Sequence, residues 1–169
     1  MIALIFLKIR IYFYFKSLKT DNLEKDHVAV IFVKYGFLKN ISYTLSIEKK
    51  ISSILENHNI LSTNYVIENS QQLERVLQNQ KVKAVVMLGH GKRHILGLKK
   101  GVYFYCNFQG KPTQIKYVAQ LHCNDGSGKS LYEIIGCKGF DTSDLTHTSE
   151  VNDYINSKKF IESLKEALK

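Results

Sequence analysis

Apolar and polar positions along the chain fall into two alternating patterns. Residues 28–33, 82–88 and 115–121 are short, nearly continuous apolar runs, the pattern of strands buried on both faces of a parallel sheet. Between them the period lengthens. After a turn at Gly36, Ile41, Leu45, Ile51, Ile54 and Leu55 recur at helical spacing, and Leu73, Val76 and Leu77 do so behind Ser70, a residue suited to capping a helix. A short strand is expected over 64–67. Residues 95–108 break the rhythm: Gly97, Gly101 and the aromatics Tyr103, Phe104, Tyr105 and Phe108 suit a small hairpin rather than a crossover helix. Beyond residue 121 a short helix is predicted from Ser127 through Leu131, Ile134 and Ile135 to a cap at Gly136. A fifth strand follows over 137–140. One C-terminal helix is predicted over 151–168, with Tyr154, Ile155, Ile161, Leu164 and Leu168 on its apolar face. Strands alternating with helices predict an α/β sandwich, a mainly parallel sheet with helices on both sides.

Residues 1–26 stand apart from a domain over 27–169. The first 15 residues are almost wholly apolar or aromatic, yet Lys8 and Arg10 limit the uninterrupted run to seven residues, where a membrane-spanning helix needs about 20. A cleaved secretory signal would place its charges first and end in small residues, and neither holds here. Three readings stay open for 1–15: an edge strand, an anchor lying at a membrane surface, or a stretch outside the fold. Residues 20–26 are polar and charged, as in a linker.

Composition narrows the class further. With 169 residues, 44% of them hydrophobic, the chain is long enough for one buried core, and disorder is excluded. Its three cysteines, Cys106, Cys123 and Cys137, form no CxxC pair and no zinc-ligand spacing, so neither a disulfide framework nor a metal is expected. No cofactor is expected either. The odd cysteine count suggests a reducing, cytoplasmic setting and leaves one thiol open to a chemical role. The net charge of +9 is unevenly placed. From Arg75 to Asn124 there are nine Lys/Arg and no acid, whereas from Cys137 onward five Lys face six Asp+Glu.

The chemistry concentrates where two apolar runs end. In open α/β sheets, loops leaving the carboxyl ends of the strands converge on one edge, where ligands bind. His90 follows the run Ala84-Val85-Val86-Met87-Leu88 after one glycine, and Cys123 follows Tyr117-Val118-Ala119-Gln120-Leu121 after one histidine. On neighbouring strands about 4.8 Å apart, an imidazole and a thiol at these positions form a candidate dyad. A helix starting near Ser127 would favour the thiolate. Gly91 lets backbone N–H groups approach a developing oxyanion, with the Cys123 N–H as second donor.

An apolar strand closed by His90-Gly91 and a second closed by Cys123-Asn124-Asp125-Gly126 resemble the caspase-like cysteine peptidases, the clan of caspases, metacaspases and clostripain relatives. The resemblance spans 27–169. It implies a three-layer caspase-like sandwich with a small β-hairpin insertion, and a cysteine endopeptidase acting through an acyl-enzyme. It makes Cys123 the nucleophile, His90 the general base, and Gly91 with Cys123 the oxyanion hole, with a protein or peptide as substrate. The chain departs from the clan's patterns in three places. His90 and Cys123 are 33 residues apart, against about 50 in caspases. Leu121-His122 replaces the Gln-Ala that precedes the caspase cysteine. Leu121 also stands where metacaspases carry the Asp that reads a basic P1 residue.

Other motifs carry less. Gly126-Ser127-Gly128-Lys129-Ser130 resembles the end of a P-loop, but Cys123 stands where its first glycine belongs. Gly89-x-Gly91 lacks the third glycine of a dinucleotide fingerprint, since His94 occupies that position. His94 and His122 are expected to be structural or surface residues. Lys92, Arg93, Lys99 and Lys100 would give the catalytic edge a positive field able to draw an acidic peptide or an anionic activator. Two alternatives to the peptidase follow: a catalytically inactive caspase-like module that binds a protein or anion, and, less favoured by the residues, a nucleic-acid-binding domain.

Overall fold

The computed structural model describes residues 24–33, 38–99, 101–142 and 148–169. The elements run β1 (His27–Val33), α1 (Leu38–Asn57), β2 (Ser62–Ile67), α2 (Ser70–Leu77), β3 (Val82–Leu88), β4 (Gly91–Lys92), β5 (Ile95–Gly97) and β6 (Val102–Phe104). A 3-10 turn (Tyr105–Phe108) follows, then β7 (Tyr117–Leu121), α3 (Leu131–Ile135), β8 (Lys138–Asp141), α4 (Thr148–Ile155) and α5 (Lys158–Ala167). Five strands form one sheet in the order β2-β1-β3-β7-β8, every pair parallel. Strands β4, β5 and β6 form a small antiparallel sheet.

Alternation along the buried strands sends side chains to two cores. On one face Val28, Val30, Phe32, Ala84, Val86 and Leu88 pack against Ile47, Ile51 and Leu55 of α1 and Phe160, Ile161 and Leu164 of α5. On the other, Ala29, Ile31, Val85 and Met87 meet Leu73, Val76 and Leu77 of α2, Leu131 of α3, and Tyr103, Tyr105 and Phe108. The result is helices on both sides of a mainly parallel sheet. Each fully buried Val, Leu, Ile, Phe or Met side chain among these contributes about 1.5–3 kcal/mol. Among the described residues no helix is long and apolar enough to cross a membrane.

Several local expectations are corrected. Asn69, not Ser70, caps α2; its side chain accepts from the Gln72 N–H at 3.0 Å. Helix α3 begins at Leu131, not near Ser127, because Ser130 and Glu133 form a reciprocal capping box that fixes the start. Gly136 closes it in the left-handed conformation, φ 78, as the sequence predicts. The single C-terminal helix is two, because Ser157 caps α5 by accepting from the Phe160 N–H. The 95–108 segment is a three-stranded sheet with β4, followed by the 3-10 turn. The readings of 1–15, most of the linker and the Gly36 turn fall outside the described residues.

Candidate active site

The ladder between β3 and β7 ends at the pair Leu88↔Leu121. Counting two residues onward from each member reaches His90 and Cys123, so the two chains leave the sheet in step. In the preceding pairs Ala84, Val86 and Leu88 share a face with Tyr117, Ala119 and Leu121, and His90 and Cys123 stand in the loops just beyond those strand ends. Both are half-buried.

The β4–β5 hairpin organises the histidine side. The Gly97 N–H donates to the His90 carbonyl at 2.7 Å, and Gly91 lies opposite Leu96. Hydrogen-bonded and non-hydrogen-bonded pairs alternate in an antiparallel ladder, so Gly91 belongs to a non-bonded pair and its N–H points out of the hairpin. A side chain at 91 would collide with the Ile95 carbonyl and lie 3.0 Å from Cε1 of the His122 ring. The hairpin turn Arg93-His94 has no left-handed residue, although two-residue hairpins usually need one. It is held instead from outside: the Arg93 N–H donates to the Asp125 carbonyl at 3.3 Å, and Gln120 Nε2 donates to the Arg93 carbonyl at 3.1 Å.

The cysteine side rests on a buried polar network. Gln120 and Asn124 are buried; Gln120 Nε2 also donates to Asn124 Oδ1, and Gln120 Oε1 accepts the Leu131 N–H at 3.0 Å. Asn124 Nδ2 donates to Thr142 Oγ1 at 2.9 Å, and Thr142 Oγ1 donates to the His122 carbonyl at 2.7 Å. The loop after β7 is thereby tied to the ends of β8, α3 and the hairpin. His122, only 1% exposed, bonds the Cys123 carbonyl through Nδ1 at 2.9 Å and the Tyr105 hydroxyl through Nε2 at 2.7 Å. Burial pushes its pKa down to about 4; the bond to the Cys123 carbonyl opposes the shift and neighbouring His90 adds to it. Its ring lies against Tyr105, a structural placement as expected. The helix start expected just behind Cys123 is not there. The helix begins eight residues later, at Leu131, and has five residues.

The basic side chains do not gather into one patch. Lys92 Nζ lies 3.8 Å from Asp125, and Arg93 lies 3.4 Å from Glu133 and 3.7 Å from Asp141. Lys99 pairs with Glu68 at 3.0 Å, just past β2 and three strands from β7, about 14 Å by strand spacing. Lys100 lies outside the described residues. Of the other cysteines, Cys106 is exposed, and Cys137 is a thiol that burial pushes up to about 12. Among the described residues no group of three or more His, Cys, Asp or Glu is placed to hold a metal ion.

Sequence reasoning passes over Gln120, Asn124, Thr142 and Tyr105. A glutamine inside a buried strand was the available signal, since a buried amide must find partners. Comparison with models of protein families and with curated proteins finds no match.

Proposed function

We propose that the protein is a caspase-like cysteine endopeptidase with Cys123 as nucleophile and His90 as general base. The observation that carries this reading is the β3–β7 register, which releases His90 and Cys123 from adjacent strand ends two residues beyond the pair Leu88↔Leu121. The strand order β2-β1-β3-β7-β8 supports it too, with the histidine after the third core strand, the cysteine after the fourth, and an antiparallel insertion between. In the reaction His90 takes the thiol proton as the Cys123 sulfur attacks the scissile carbonyl carbon. The N–H groups of Gly91 and Cys123 receive the oxyanion. Collapse of the tetrahedral intermediate breaks the C–N bond, His90 returns the proton to the leaving amine, and water then hydrolyses the thioester.

The ion pairs of Lys92, Arg93 and Lys99 place a carboxylate beside each of these cations. Free positive charge at this edge is therefore less than the sequence suggests, and we rank a peptide substrate ahead of an anionic or nucleic-acid ligand. The test is intact-mass analysis after exposure to a panel of peptidyl acyloxymethyl ketones differing at P1. One adduct at Cys123, lost in His90→Ala, is expected; labelling confined to exposed Cys106 overturns the reading.

A further inference from the structure

We propose that His122, held by Tyr105, is a positioning residue that sets the backbone of Cys123; the proposal rests on the reading of Cys123 as nucleophile. A carbonyl oxygen only accepts, so the His122 nitrogen 2.9 Å from the Cys123 carbonyl carries the proton. That leaves Nε2 with its lone pair, and the Tyr105 hydroxyl, 2.7 Å away, donates its one proton there rather than to the weaker thioether acceptor of Met87 at 3.3 Å. Tyr105 is fully buried and His122 nearly so, which leaves this one neutral tautomer satisfied at both nitrogens.

The consequence for Cys123 follows from its two flanking peptide planes. The plane joining 122 to 123 carries the His122 carbonyl on one edge and the Cys123 N–H, the second oxyanion donor, on the other. Thr142 Oγ1 clamps that plane through the carbonyl at 2.7 Å. The next plane carries the Cys123 carbonyl and is clamped by His122 Nδ1. With both planes fixed, the two backbone torsions of Cys123 are fixed, and so are the origin of its side chain and the direction of its N–H. The same imidazole also lies under Gly91, where a β-carbon would come 3.0 Å from Cε1 and 3.1 Å from Nδ1. One buried ring therefore sets the spacing between both proposed oxyanion donors.

Two isosteres separate positioning from packing. In His122→Asn the side-chain amide can still donate from the Nδ1 position, whereas in His122→Gln the amide reaches the Nε2 position and the bond to Cys123 is lost. For a peptide cleaved by the wild-type protein, His122→Gln is expected to lower kcat about 100-fold with little change in KM, and His122→Asn about tenfold less. Equal kcat in the two variants overturns the inference while leaving the peptidase reading intact; a wild-type protein that cleaves nothing and takes no label overturns the reading itself. Long-range proton–nitrogen NMR of the wild-type protein supplies a measurement free of folding and activity. A neutral His122 protonated at Nδ1 at pH 6 is expected, and protonation at Nε2 overturns the inference.

Discussion

His122 reports its own burial through pH. Its pKa is held near 4 in the folded protein, below the ordinary value of 6.5, so on acidification the unfolded chain takes up its proton first. Stability from this group is fully present above pH 6.5 and falls as the pH drops toward 4, by on the order of 3 kcal/mol. Glu74, Glu133 and Glu166, held low by their hydrogen-bond partners, add losses only below the ordinary carboxyl value of 4.5. Glu48, raised by burial, acts in the opposite direction and cancels when two variants are compared. Urea midpoints between pH 7 and 4.5 should therefore fall less steeply in His122→Asn than in the wild-type protein; parallel curves would show that His122 titrates normally. At this scale the placement of His90 and Cys123 beyond neighbouring strand ends is legible in the sequence, because each stands two residues past an apolar run. The role proposed for His122 is not, because it depends on a tyrosine 17 residues away that a 3-10 turn carries beneath the sheet.

Among the elements, the end of β7 is where the site depends most on polar satisfaction. Gln120 uses its amide to hold the hairpin turn, Asn124 and the first N–H of α3 together. Gln120→Ala leaves the buried Leu131 N–H and the Asn124 amide oxygen without these partners, which predicts a loss of about 2–3 kcal/mol in denaturant unfolding. A change under 0.5 kcal/mol, the range of ordinary surface substitutions, would mean that the network is not a structural tie. Strand positions were readable because buried parallel strands are continuous apolar runs: the predicted third strand has the bounds Val82–Leu88 found in the fold. Helix ends were harder to read. Tyr154 and Ile161 are seven residues apart and fit one continuous helical face, so periodicity hides the break that the Ser157 cap makes between α4 and α5. Likewise, Ser127 resembles a helix start until Ser130 and Glu133 are seen closing their box.

Across the whole molecule, charge was the property that sequence order represented least well. The acid-free window from Arg75 to Asn124 acquires carboxylates from beyond its bounds: Lys83 meets Asp26, Lys99 meets Glu68, Lys111 meets Glu74, and Arg93 meets Glu133 and Asp141. These are long-range pairings made by the fold, invisible to a count along the chain. Exposed pairs of this kind add only about 0–1 kcal/mol each; Lys83 lies at the far end of β3, whereas the pairs of Arg93 lower the free charge close to where the loops after β3 and β7 emerge. The strand order that brings those loops together is the molecular-scale basis of the proposed chemistry. Its most direct test is incubation of the wild-type protein, Cys123→Ala and His90→Ala with a proteome-derived peptide library, followed by mass spectrometry of newly formed termini. The account predicts new termini sharing a P1 preference with the wild-type protein, none with Cys123→Ala, and a loss of at least about 100-fold with His90→Ala. New termini that persist unchanged in Cys123→Ala, or none with the wild-type protein, would contradict it.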